Sequence, residues 1–287
     1  MRNKSALLRA KLAERQLQVG VGARDSLEAR LIEEAGFNFV WASSLCISAS
    51  CGLPDEGLIG GTELVRRASE IDQAIDLPTV LDSDLGYFSE SQIRTLVSRI
   101  ERNGLAGICM EDKTGPKTNS LASDVKQDLC GAEDFALKIR AAVDARASTT
   151  VLIARVEAFI AGAGLEEALR RAYLYAEAGA DCVAIHSRSP NADEVIRFVR
   201  MWNGTIPLML IPTTYAVHEV AIREEGKVQM IIYANQLTRA AVRVQTELLA
   251  RLRVGHGAAI VDDELVSVER LFQLQGRDTR RTLRKKP

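Results

Sequence analysis

The sequence predicts an α/β fold, a closed (β/α)8 barrel of the TIM type, and three observations carry that reading. Four times a polar helix end is followed by glycine and a short aliphatic run: Glu34-Ala35-Gly36, Arg102-Asn103-Gly104, Glu177-Ala178-Gly179 and Glu224-Glu225-Gly226. Glycine just past a helix takes the left-handed cap, and an aliphatic run straight after it reads as a parallel strand buried on both faces. Second, eight such runs alternate with helical patterns at about 35 residues per unit along the 287-residue chain. Third, chemically unusual residues gather at the C-terminal ends of the runs, where a barrel keeps its chemistry. No GxGxxG follows the first run, which counts against a doubly wound nucleotide-binding sheet.

Taken in order, MRNKSALLRAKLAERQ has the pattern of an amphipathic helix and lacks the apolar stretch of a signal peptide. Strand one covers 17–21 and precedes a helix over 26–34. Strand two covers 37–41, ends at Trp41 and runs into Ser43-Ser44 and a long loop, 43–61, with Asp55 in Gly52-Leu53-Pro54-Asp55. A helix over 63–75 follows. Strand three, 78–81, ends in Asp82-Ser83-Asp84 before a helix over 90–102. Strand four, 105–110, ends in Glu111-Asp112-Lys113 and opens a polar segment, 112–132, ahead of a helix over 132–145. Connections of this kind commonly span about 2–6 residues, so a segment this long at the catalytic end reads as a lid. Strand five, 150–154, ends at Arg155 and Glu157, and strand six, 181–185, at His186-Ser187-Arg188; helices over 165–178 and 192–201 follow them. Strand seven, 206–211, ends at Pro212-Thr213, strand eight, 228–233, at Asn235, and helices over 237–254 and 262–274 close the pattern. No linker divides the chain, so one domain over 1–287 is expected.

Composition excludes several functions. With 37 basic against 38 acidic side chains there is no overall field to attract nucleic acid or a membrane surface, and 5% aromatics is poor for a base-stacking platform. No apolar run reaches the roughly 18–20 residues of a transmembrane span. Five cysteines with no CxxC read as reduced thiols in a cytoplasmic protein. Six basic residues after 276 read as a solvated tail.

Asp82 and Asp84, two apart, share one face of a strand end, and Glu111 closes the neighbouring strand. Oxygen-only donors suit a hard cation, most simply Mg2+, whereas an isolated DxD would as readily cap the next turn. Arg155 closes VLIAR and needs an anion, either Glu157 on the same face or a ligand. His186 is open to a structural or a catalytic reading.

The stretch EDKTGPKTNS, Glu111 to Ser120, resembles the EDKxxxxxNS motif of the phosphoenolpyruvate mutases, within the isocitrate lyase/phosphoenolpyruvate mutase superfamily. EAGF, VWASSL, the Asp55 segment, DSDLGY, IARVEAFIAG, GADCVAIHS and YANQLTRAAV extend the resemblance over nearly the whole chain. It implies a barrel whose last helix packs on a neighbouring subunit in a homotetramer, a dimer of dimers. It also implies Mg2+ held through Asp82, Asp84 and Glu111, partly by way of water. The implied phosphonate site is the turn after Trp41, with Ser43, Ser44 and Leu45; Arg155 and His186 match the substrate-binding pair. Asp55, Lys117, Asn119 and Ser120 match the gating loops, about 43–61 and 112–132.

The implied reaction is the interconversion of phosphoenolpyruvate and 3-phosphonopyruvate, as in phosphonate biosynthesis. The lyases of the superfamily carry a KKCGH-like loop, which Lys113-Thr114-Gly115-Pro116-Lys117 does not resemble. Phosphonopyruvate hydrolases resemble PKDTS where this chain has PKTNS, so Asn119 favours the mutase over the hydrolase. Departures from the family pattern are Ala42 and Ser44 in place of glycines in WGSG, Leu85 and Phe88 in DSDLGYFS, and Ala23-Arg24-Asp25 at the end of strand one. They leave a lapsed barrel acting as a binding subunit as a further alternative.

Overall fold

In the computed structural model, which describes residues 3–86, 89–255 and 257–276, eight parallel strands close into a barrel in sequence order, the last pairing with the first. They are β1 (Gln18–Ala23), β2 (Phe39–Ala42), β3 (Thr79–Asp82), β4 (Gly107–Glu111), β5 (Val151–Val156), β6 (Cys182–Ile185), β7 (Leu208–Leu210) and β8 (Val228–Tyr233). Nearly every strand residue is buried, because side chains face either the barrel interior or the helices outside. That is why the strands read as unbroken aliphatic runs instead of alternating patterns.

The helices are α1 (Lys4–Ala13), α2 (Ser26–Glu34), α3 (Ser44–Ser50), α4 (Gly61–Gln73), α5 (Glu90–Arg102), α6 (Ala132–Ala145), α7 (Gly164–Glu177), α8 (Asp193–Met201), α9 (Glu219–Glu224), α10 (Gln236–Val254) and α11 (Val268–Leu274). Local chemistry sets their starts. Asp25 accepts from the amides of Leu27 and Glu28 to begin α2, and Ser89 with Gln92 forms a capping box on α5. Inside the barrel, Phe39, Trp41, Val80, Cys109, Ile153, Met209, Met230 and Ile232 form one apolar cluster, which Leu8 and Leu12 of α1 join. Lys4 pins α1 through an ion pair to Asp72 (2.9 Å) and hydrogen bonds to the Asp72 and Ile75 carbonyls.

Several expected limits move. Strands β1 to β5 run one or two residues further than their aliphatic runs, so that Asp82, Glu111 and Arg155 are themselves strand residues. The ladder is made by backbone groups, and a polar side chain does not end it. Asp82 pairs in register with Cys109 and Glu111 with Arg155. The 43–61 loop contains α3, begun where Ser43 accepts from the Cys46 amide (3.3 Å) and held by buried Cys46 and Ile47. The expected helix over 262–274 is instead a 3-10 segment, Ala258–Glu264, followed by α11 beginning after the Ser267 cap. The described residues form two compact units, one up to Gln236 with the whole barrel and one from Leu237 onward. Phe88, His256 and the basic tail lie outside the described residues.

Candidate active site

The C-terminal ends of the strands surround a small cavity of about 50 Å³. Ser43, Ser44, Leu45, Asp55, Asp82, Asp84, Glu111, Lys117, Asn119, Ser120, Arg155 and His186 all line it, although they come from six parts of the chain. Trp41 is the exception among the expected site residues. It points into the apolar barrel cluster, because its place on β2 faces inward below the rim.

Two loops close over the cavity. Lys117 reaches Asp55 and stands 2.7 Å from Asp84 and 3.4 Å from Ser44 Oγ. Asn119 Nδ2 donates to Asp55 Oδ2 across 2.7 Å. Asp55 is thereby held at both oxygens. Burial alone would drive the proton off Lys117, but Asp84, Asp55 and Asp82 outweigh it and raise its pKa.

Below the loops lies a second network. Arg155 pairs with Glu157 through Nε, while its Nη2 donates to Ser120 Oγ (2.9 Å) and lies 3.2 Å from Glu111 and 3.1 Å from His186 Nδ1. His186 Nδ1 is also 3.1 Å from Glu157 Oε1. Burial would raise the Glu157 pKa, but Arg155 and His186 bring it well below the carboxylate range. Burial lowers the pKa of His186, with Glu157 opposing, so a neutral imidazole faces the cavity. Of the two anions expected for Arg155, the internal one is present, since Glu157 pairs with it, while the guanidinium also lines the cavity.

For Asp84 and Glu111 the neighbouring cations do not outweigh burial. Burial, reinforced by Asp82 and Asp55 against the pull of Lys117, pushes Asp84 up to about 6. Burial also pushes Glu111 up to about 7, Arg155 opposing and Glu157 adding to the rise. Glu111 Oε1 is buried without a hydrogen-bond partner, with only the Lys113 ammonium 3.3 Å away. Asp84 holds a left-handed backbone (φ 54°) while its carbonyl accepts from the Glu111 amide (2.8 Å), a conformation that costs a non-glycine residue about 1–2 kcal/mol. Buried, mutually repelling oxygen donors fit a hard cation. Among the described residues no three His, Cys, Asp or Glu groups converge into a direct ligand cage.

The family described as phosphoenolpyruvate phosphomutase matches residues 8–253. The chain belongs to this family. It is 40% identical over 282 residues to a phosphonopyruvate hydrolase from Variovorax sp. (strain Pal2), covering 98% of this chain and 97% of the relative. A phosphoenolpyruvate phosphomutase structure from Streptomyces platensis subsp. rosaceus superposes with a TM-score of 0.94 at 36% identity, covering 98% of both chains. A phosphonopyruvate hydrolase structure in complex with oxalate and Mg2+ superposes with a TM-score of 0.91 at 39% identity, covering 98% of this chain and 97% of that one. The family members are thus enzymes of both kinds. A divalent metal has been seen in one of them.

Several residues at the site were not singled out beforehand. Thr213 and Asn235 line the cavity and were visible only as strand ends; Thr118, Ile211 and Ala234 lay inside quoted segments without a role, and Leu121 had no signal. Lys113 was visible inside the EDK motif but without a role, and Gln127 had none. A larger cavity, about 550 Å³, lies at the opposite end of the barrel beside α1 and the 202–207 turn. Its Arg9 and Lys227 are spent on Asp181 and on backbone carbonyls. Among the described residues no helix is long and apolar enough to cross a membrane.

Proposed function

We propose that this chain is a Mg2+-dependent phosphoenolpyruvate mutase that interconverts phosphoenolpyruvate and 3-phosphonopyruvate. The observation that carries this reading is Asn119, bonded to Asp55 at the lid of the cavity, where the hydrolase motif has Thr. In one direction the P–C3 bond breaks and a bond from phosphorus to the enol oxygen forms in the same molecule, so no co-reactant is needed. The loose transition state of phosphoryl transfer asks for fixed donors and exclusion of water rather than covalent help.

Asp82, Asp84 and Glu111 would hold the cation. The chemistry supplied by a bound divalent cation is fixed positive charge facing the pyruvyl oxygens. Arg155 adds a second, permanent charge there, oriented by Glu157. Ser44, Leu45, Asn119 and His186 would receive the phosphoryl group, whose negative charge would favour the proton that burial denies His186. Ser43 spends its oxygen on capping α3 but keeps a hydroxyl proton. With both oxygens engaged by Lys117 and Asn119, Asp55 suits an orienting role better than a nucleophilic one. Lys117 and Asn119 join the two loops over the cavity through Asp55, so opening of these loops would admit the substrate.

The second reading, phosphonopyruvate hydrolase giving pyruvate and phosphate, is supported by the 40% identity to such an enzyme. Phosphorus NMR of the protein with phosphonopyruvate and Mg2+ separates them: phosphoenolpyruvate is expected, free phosphate alone would favour the hydrolase, and no turnover would favour a lapsed binding subunit. The same proposal includes a cytoplasmic homotetramer with exchange of the last helix. Exposed Val268 and Leu271 on α11, with Val242, Val244 and Leu249 on α10, support the assembly, and sedimentation tests it.

A further inference from the structure

Asn119 and Ser120 reach the cavity from a loop that is itself held from beneath by two residues outside the cavity lining. Lys113 is 3% exposed. Its Nζ donates to Thr118 O (2.6 Å), Ser120 Oγ (3.0 Å) and Gln127 Oε1 (3.0 Å). An ammonium has three protons, so the loop takes all of them, while Glu111 balances the charge at 3.3 Å. Gln127, 6% exposed, returns Nε2 to Asn119 O (3.1 Å) and Ala122 O (3.4 Å), and Thr118 Oγ1 donates to its Oε1 (3.3 Å). The carbonyls of Thr118 and Asn119, the two peptide groups around the Asn119 amide side chain, are therefore both clamped. The base of the loop is closed as well: Lys113 bridges Leu129, the Thr114 amide donates to Asp128 O (2.9 Å) and the Cys130 amide to Asp112 O (3.0 Å).

A buried charge that spends every donor on one loop fixes that loop in a single arrangement, since each bond lost would leave a polar group stranded. Small displacements of a positioned group cost large factors in rate, and a loop that parts from the barrel admits water. We infer that Lys113 and Gln127 form an internal latch that positions Asn119 and Ser120 over the reaction cavity, and that the latch sets how often the transferring phosphoryl group meets water instead of the enol oxygen of its own molecule. They are positioning residues, acting through the loop. The second half of the inference rests on the mutase reading; the first does not.

The test compares the full chain with Lys113→Met, Gln127→Leu and Gln127→Glu. Phosphorus NMR of phosphonopyruvate with Mg2+ gives the ratio of free phosphate to phosphoenolpyruvate. Amide hydrogen exchange over 114–128, with Mg2+ and oxalate present, reports loop closure, and thermal unfolding checks the fold. Lys113→Met and Gln127→Leu should raise the phosphate share several-fold and speed exchange in the loop roughly tenfold or more, with barrel amides unchanged. Gln127→Glu keeps the acceptor for Lys113 and should fall between them and the parent. Gln127→Leu leaves the Lys113–Glu111 pair in place, so the test survives a Lys113 variant that fails to fold. Folded variants with parental exchange would overturn the latch; faster exchange with a parental product ratio would overturn its control of water. If the parent makes no phosphoenolpyruvate, the mutase reading has failed, and exchange alone decides the latch.

Discussion

Asn119 Nδ2 donates to Asp55 Oδ2 at 2.7 Å, joining side chains 64 residues apart and closing one gating loop on the other. Neither residue is unusual by itself, as Asp55 follows a proline in what reads as a turn and Asn119 sits in a polar loop. Their bond makes them one structure.

Asn119→Thr should therefore loosen the gate and remove a donor from the cavity. A fall in kcat/KM of roughly tenfold is expected, with a larger share of free phosphate among the products. An unaltered kcat/KM and product ratio, followed by phosphorus NMR, would take Asn119 out of the site.

The cation assignment rests on Asp82, Asp84 and Glu111. Asp82→Ala should abolish Mg2+-dependent turnover, and a chelator should do the same to the parent. Because an ion that binds only the folded state stabilises it, Mg2+ should also raise the parent's unfolding temperature and leave that of Asp82→Ala nearly unmoved. A variant that still turns over with Mg2+ would sink the assignment.

Trp41 belongs to the barrel cluster, not to the cavity wall. Trp41→Leu should cost about 2 kcal/mol in denaturant unfolding, yet leave KM within about twofold. A KM that rises sharply at unchanged stability would return Trp41 to the substrate.

The Lys4–Asp72 pair gives a pH dependence away from the site. Burial raises the Asp72 pKa above its ordinary value, with Lys4 opposing. Such a group favours folding most at low pH, and that contribution is lost as pH rises through the raised value. Lys4→Met removes the opposing charge and pushes the value higher. Its deficit should be about 3 kcal/mol at pH 7 and shrink as pH falls through the Asp72 value, as an unfolding series taken downward from pH 7 would show. A deficit independent of pH would mean that Lys4 contributes packing alone.

The order of the elements was readable because it depends on short-range physics. Glycine at a left-handed cap followed by an aliphatic run states where a helix stops and a doubly buried strand begins, and each of the eight runs becomes a barrel strand. The strand ends also advertised Asp82, Glu111, Arg155 and His186, because ionisable groups beside aliphatic runs are costly unless something engages them. Limits were less well read, since hydrogen bonding carries β1 to β5 past their last aliphatic residues and a serine cap starts α3 inside a supposed loop.

By itself, then, the sequence determined the barrel and the rim residues, and through EDKTGPKTNS the family. Only the tertiary structure decided which rim residues meet. Whether Arg155 is held by Glu157 or faces the cavity, whether Trp41 is wall or core, and what Lys113 and Gln127 hold depend on distances across the barrel mouth and beneath its lid. Periodicity carries burial from residue to residue along the chain. It carries no information about the 2.7 Å between Asn119 and Asp55, which is set by how two loops from different strands close over one end of the barrel.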